Sequence, residues 1–360
     1  MDKLLAIACF LMGLVIILTA FPEGIVAVLV TSIMAFVAII VIRTQMPEDK
    51  EFLIRIFLIA LLARLIFSLT IHIFDFHNFF GGDSLTYDAF GSDLMKKWFN
   101  IPGREVSDQM LTSSLSGVGW GMFYLIAGLY SIIGKNMLAA NFFCATFGAA
   151  IAPLIYVCAY KIFNNRRVGR VAAILAAIAP AFVIWTGQLM KDGIIIFLLV
   201  LSIVMVTNLQ KKFNYLSFVF LLISLFGIIS LRFYVFYMVA AAVVGTFIVG
   251  FSNSPQALFR RLVVLILLGV GLTYLGVLRD AGTGFEKFGN LETVQNTRDD
   301  LSNRADSGFG KDLDVSTTSG AIQAIPIGFT YLMLAPFPWQ ISNFRQMVTL
   351  PDMLIWWLCI

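Results

Sequence analysis

Charge is what this sequence most lacks. Only 13% of its 360 residues are Asp, Glu, Lys or Arg, against roughly a quarter in an ordinary soluble domain. That shortage excludes a soluble globular chain of this length. Cysteine is scarce as well. The four, Cys9, Cys144, Cys158 and Cys359, sit in apolar runs without metal-ligand spacing, so they read as small buried hydrophobes. No internal repeat and no low-complexity tract is present. The net charge of +4 comes from residues at the edges of apolar runs and gives no reason to expect a nucleic-acid partner.

Apolar side chains, by contrast, make up 59% of the chain, with a mean hydropathy of +0.90. They fall in runs near the length needed to cross a bilayer as a helix. The expected fold is an all-α, polytopic helical membrane protein of about 11 spans. Spans are expected near 4–20, 25–42, 53–73, 137–160, 171–187, 194–209, 215–230, 233–251 and 262–278, with two more beginning near 326 and 351. The first two read as a hairpin, since only "FPEG" separates them and no small-residue cleavage site marks a signal peptide. The last run, "PDMLIWWLCI", is half a span, so the chain is expected to continue past residue 360.

Basic loops mark the cytoplasmic side. "KIFNNRRVGR" (161–170), "QKK" (210–212) and "FRR" (259–261) share that side only if Gly119–Ile133 lies along the outer interface instead of crossing. The N-terminus is then inside. Residues 74–136 and 279–325 form large outer segments, with interfacial helices in the first and a short outer turn at 186–193. This organises the chain as a hairpin (1–52), a transmembrane module (53–278), a polar outer loop (279–325) and C-terminal spans (326–360).

One polar island interrupts the N-terminal third: "GGDSLTYDAFG", residues 81–91. Asp83, Tyr87, Phe90 and Leu94 recur at helical spacing, so a short amphipathic helix is expected with Asp83 at its N-cap. Asp88 and Asp93 read as solvated, Asp93 pairing with Lys96 or Lys97. His72 reads as an interfacial side chain. His77 is a metal candidate only together with Asp75 and Asp83, a set without recognised spacing.

A second polar turn, "WTGQLMKDG", places Lys191 and Asp192 where a span begins. Asp192 suits an N-cap. Lys191 opposes the helix dipole there, which favours an anion at that position, with snorkelling to water as the alternative. Arg232 in "SLRFYVF" falls on the outer side against the charge rule, a pointer to an anionic ligand such as a lipid phosphate. Arg64 in "LLARLIF" lies inside the membrane and needs partners there.

In this order the parts resemble the GT-C superfamily of membrane glycosyltransferases, which includes protein O-mannosyltransferases, aminoarabinose transferases and the oligosaccharyltransferase catalytic subunit. The likeness is expected over Phe74 to Ser202. Asp83 and Tyr87 match an Asp-x-x-x-Tyr pattern in the first outer loop, "SSLSGVGWGMFYLIAGLYSIIG" matches interfacial helices, and "LMKDG" matches a second outer acidic motif. The resemblance implies a polyprenyl-phosphate-linked sugar donor and a glycan, lipid or protein acceptor. It makes Asp83 the catalytic carboxylate and Asp192 its partner acid. Tyr87, Lys191 and Arg232 would serve the substrate, and Trp339 in "LAPFPWQ" would cover a substrate entrance, unless that motif is only an aromatic belt at a membrane edge. Members that use a divalent metal carry Asp-x-Asp where this chain has Met190-Lys191-Asp192, so a metal is left open and Lys191 is its candidate substitute. The expected location is a bacterial inner membrane with the site on the outer face. A polysaccharide polymerase or ligase, a flippase for lipid-linked glycans and a non-catalytic assembly subunit are the competing functions.

Overall fold

The computed structural model describes residues 3–46, 48–80, 82–103, 105–115, 117, 119–249, 255–274, 276–277, 290–304, 313–341 and 343–359. Gly81 of the polar island, the end of the 233–251 run and parts 279–289 and 305–312 of the expected polar loop lie outside the described residues. All regular elements among the described residues are helical. The chain divides into two compact units, Met1–Leu272 and Thr273–Ile360.

In the first unit α1 (Lys3–Thr19) and α2 (Glu23–Gln45) form the expected hairpin, and α3 (Lys50–Phe74) follows. Residues 74–136 hold four short helices: α4 (His77–Phe80), α5 (Asp83–Trp98), α6 (Asp108–Leu115) and α7 (Gly121–Ile133). The 13 residues of α7 reach about 20 Å at 1.5 Å per residue, short of a hydrocarbon core of about 30 Å. Next come α8 (Met137–Phe163), α9 (Arg166–Ile178), α10 (Pro180–Thr186), α11 (Lys191–Lys211), α12 (Tyr215–Leu231), α13 (Phe233–Val249) and α14 (Pro255–Tyr274).

Among the described residues of the first unit, each expected span overlaps a helix or a pair of helices. Among the described residues only α2, α3, α8 and α11 are individually long and apolar enough to cross a membrane, and α9 with α10 makes a fifth if the pair is one span. The count of 11 is therefore not established, and the coarser reading, a multi-pass helical membrane protein, is what these helices support. The run expected at 171–187 is not one straight helix. It is broken, with a 56° bend between α9 and α10, because Pro180 has no N–H to continue the ladder and disfavours helical geometry in Ala179.

The unit has two cores with α8 as their shared wall. Leu138, Phe142, Ala145, Ala149 and Ala152 of α8 pack against α1, α2, α3 and α9. Ala140 and Cys144 face α5, α7 and α11. Small side chains let the backbones approach closely, which is how helices cohere in lipid, where burying apolar surface against a neighbour gives little advantage over lipid contact. Asn136 starts α8 by accepting the Ala139 N–H at 2.9 Å, and Asn164 ends it in the left-handed conformation at φ 49°.

The basic loops cluster. Lys161 donates to Asn208 near the end of α11, Arg166 reaches Glu48, and Arg170 donates to Asp49 at 2.8 Å. Asp49 also accepts the Tyr156 hydroxyl at 2.5 Å. The loops at 46–49, 161–170 and 208–212 therefore share one end of the bundle, as the charge pattern requires.

The second unit contains α15 (Leu291–Arg304), α16 (Thr318–Leu334) and α17 (Phe344–Cys359). The expected starts near 326 and 351 are corrected: Pro326 and Pro351 lie inside α16 and α17. Thr317 begins α16 earlier by capping the Gly320 N–H at 3.2 Å. Within this unit Trp339 stacks on Phe337 at 5.1 Å and is largely exposed. The Trp356 and Trp357 indoles donate to the Met333 and Leu334 carbonyls.

Candidate functional site

The site is built on α5, on the turn before α11 and on the junction of α12 with α13. Asp83 is the first residue of α5 rather than its N-cap. The Gly82 carbonyl already accepts from the Leu85 and Thr86 N–H groups at 3.2 and 3.3 Å, and no side chain caps the helix. The helix starts one residue earlier than expected because Gly82 itself adopts helical dihedrals. The exposed Asp83 carboxylate makes no hydrogen bond or ion pair among the described residues.

One turn on, Tyr87 is buried, its ring packed on Phe123 at a centroid distance of 5.8 Å. Burial, and then the charges of Asp83 and Asp192, hold its hydroxyl well above the usual phenol range, with Arg232 acting in the opposite sense. The Lys191 ammonium lies 5.9 Å from the Tyr87 ring centroid. Asp83, Asp192 and Arg232 all act electrostatically on it. Asp192 is likewise inside α11, with Met190 as N-cap, so the capping role expected for it is corrected. Its Oδ1 accepts from Arg232 Nη1 at 2.9 Å. Five of the six residues singled out from sequence thus gather in one cluster, and Trp339 belongs to the second unit.

Sequence reasoning missed Gly119. Its φ of +86° lies in the region that glycine tolerates, and a Cβ there would stand 3.2 Å from the Leu231 carbonyl oxygen and 3.6 Å from Lys191 Nζ. The glycine lets the backbone at 119 lie close to the lysine. Asn141 was missed too. Fully buried on α8, its Oδ1 accepts the Leu189 N–H at 2.7 Å and anchors the turn leading into α11.

Two further expectations are corrected. Asp88 is buried and accepts the Tyr130 hydroxyl at 2.6 Å, with Lys135 at 3.2 Å. Asp93 is fully buried, accepts the Glu105 and Val106 N–H groups at 2.7 and 2.6 Å, and has Lys96 at 3.4 Å. Periodicity assigned both to a solvated face. Glu105, Val106, Tyr130 and Lys135 return to cover that face, and local spacing carries no information about them.

Residues 119–276 match the family model for dolichyl-phosphate-mannose-protein mannosyltransferases. The resemblance to GT-C glycosyltransferases holds. No curated protein and no solved structure matches the chain. The GT-C match covers less than half of the chain and corrects the extent expected from sequence. It takes in Gly119, Lys191, Asp192 and Arg232, while Asp83 and Tyr87 precede it and join the cluster by geometry alone. At the family level, the match supports a membrane glycosyltransferase of GT-C type.

The cluster does not suit the divalent metal that some GT-C members use. Met190 stands where an Asp-x-Asp pair has its first carboxylate, and Lys191 and Arg232 bring two cations against Asp192. Among the described residues no three His, Cys, Asp or Glu side chains come together as ligands, Asp75, His77 and Asp83 included. No step below is routed through a metal.

Proposed function

We propose that the chain transfers a sugar from a polyprenyl-phosphate-linked donor to an acceptor hydroxyl at the outer face of the membrane, with inversion at the anomeric carbon. The observation that carries this reading is the gathering of Asp83, a carboxylate with no hydrogen bond or ion pair among the described residues, with Lys191 and Arg232 beside Tyr87. The acceptor oxygen forms its bond to the anomeric carbon as the bond from that carbon to the phosphate oxygen breaks. Asp83 takes the acceptor proton, as a general base does in inverting glycosidases. The departing phosphate needs no proton, only positive charge, which Lys191 and Arg232 supply. Asp192 holds one edge of Arg232, leaving its other N–H groups for the phosphate. Tyr87 fixes the position of Lys191 through its ring.

The test is transfer in native membranes with their own lipid-linked donor. Asp83→Asn is expected to reduce turnover by about 100- to 10,000-fold, the usual contribution of a general base, with little change in donor KM. Unchanged turnover removes Asp83 as the base.

A further inference from the structure

Arg64 is absent from the chemistry above, although it is a fully buried charge in a membrane helix. It lies ten residues before the end of α3, about 15 Å along the axis at 1.5 Å per residue. Intramembrane ionisable groups persist where they have partners, and Arg64 has several. Nη1 donates to the Ala177 carbonyl at 3.1 Å and to Ala60 at 2.9 Å, and Nη2 donates to Ala176 at 3.4 Å. Nε donates to Thr186 Oγ1 at 2.7 Å.

These partners are not scattered. In an unbroken helix the Ala176 carbonyl would accept from residue 180, but that residue is proline and has no N–H. Lipid supplies no replacement donor, so protein must. Arg64 thus serves the end of α9 with its two terminal nitrogens and the end of α10 with Nε, bridging the 56° bend. Thr186 is locked in turn. Its hydroxyl donates to the Phe182 carbonyl at 2.5 Å. A Cβ on Gly148 would stand 2.4 Å from its oxygen, and one on Gly193 would stand 3.1 Å from its Cβ. Gly193 immediately follows Asp192.

We infer that Arg64 is a positioning residue: it sets the bend between α9 and α10 and, through Thr186, the place of the Lys191–Asp192 turn. The inference rests on the glycosyltransferase reading for its kinetic consequence but not for its geometry. Two readouts keep them apart. The first is the separation of spin labels at exposed Val171 on α9 and Tyr124 on α7, in a background without native cysteines. Arg64→Met and Thr186→Val should change it by several ångströms, and Arg64→Lys by less. The second is turnover, expected to fall at least tenfold in Arg64→Met and severalfold in Thr186→Val, with donor KM within about twofold. Pro180→Ala returns an N–H to Ala176 without restoring the bridge. The double variant Arg64→Met/Pro180→Ala should therefore regain thermal stability but not turnover. If the double variant recovers both, or if label separation is unchanged in Arg64→Met and Thr186→Val, Arg64 is only a stabilising residue and the inference is overturned. Wild-type chain that transfers no sugar overturns the function proposed above, while the label distances still decide the role of Arg64.

Discussion

The Lys191 ammonium stands over the Tyr87 ring, 5.9 Å from its centroid, and this contact joins α5 to the first turn of α11. A cation at a helix N-terminus is disfavoured by the dipole. Here burial and then Arg232 also act against the cation, and the π-face with the charges of Asp83 and Asp192 acts in its favour. Tyr87→Phe keeps the ring and should leave donor KM within about twofold. Tyr87→Leu removes it and should raise KM roughly 3- to 30-fold, the range of a partly buried cation–π contact of about 0.5–2 kcal/mol. Because the phenol is held above its ordinary value near 10, Tyr87 stays neutral across the working range. The pH–rate profiles of wild type and Tyr87→Phe should superimpose from pH 6 to 9.

Arg232 and Asp192 are both partly exposed, so their pairing alone contributes little, about 0–1 kcal/mol. Their effect on turnover should nevertheless be coupled. Arg232→Gln and Asp192→Asn each lower transfer if Asp192 aims the guanidinium. The double variant should then lose less than the product of the single losses in a double-mutant cycle. Strict multiplicativity would separate the two roles.

Gly119→Ala places a side chain at φ +86° against the Leu231 carbonyl and Lys191. The backbone strain is of order 1–3 kcal/mol, and the lysine must shift. Loss of turnover with a folded, monodisperse protein in detergent is the expected result.

The polar network behind the site should show acid sensitivity. The Lys135 hydrogen bond, reinforced by Lys96, holds Glu105 below the ordinary carboxylate range against a smaller opposing effect of burial. A depressed folded-state pKa contributes stability above the unfolded value, near 4.3, and that contribution is lost as pH falls through the lower folded value. Glu105→Gln should flatten the thermal stability profile below about pH 4.5, modestly, because Glu105 is largely solvent-exposed. Tyr130→Phe, which removes a buried donor to Asp88, should cost about 1–3 kcal/mol at neutral pH.

Much of this was legible in the sequence. Apolar run length gave the helices, and the charge bias of the loops grouped 161–170 with 210–212, which share one end of the bundle. Residue type and position in the turns singled out Asp83, Lys191, Asp192 and Arg232. What spacing could not supply was the state of each carboxylate. Asp83 and Asp88 look alike in "GGDSLTYDAFG", yet one makes no hydrogen bond or ion pair among the described residues, and the other is buried under Tyr130 and Lys135. The difference comes from a segment that returns some forty residues later, at Tyr130. The broken span was half visible: "AAIAPAF" announces an interruption, but nothing near it names Arg64 of another helix as the donor that repairs it.

The grip of Asp93 on the Glu105 and Val106 N–H groups has a practical side. It closes a detour of the chain whose far side includes Gly103, at φ +82° with nothing within 4 Å of where a Cβ would stand. Chain length inside such a closed loop is cheap to change, since doubling it costs only about 0.6 kcal/mol of closure entropy. An epitope inserted after Gly103 would therefore ride on the protein with the Asp93 contacts kept, touching α5 through the Gly103 carbonyl that accepts from Lys96 at 2.9 Å. Its reach by antibody in sealed vesicles of known sidedness would report directly which side of the membrane the cluster faces.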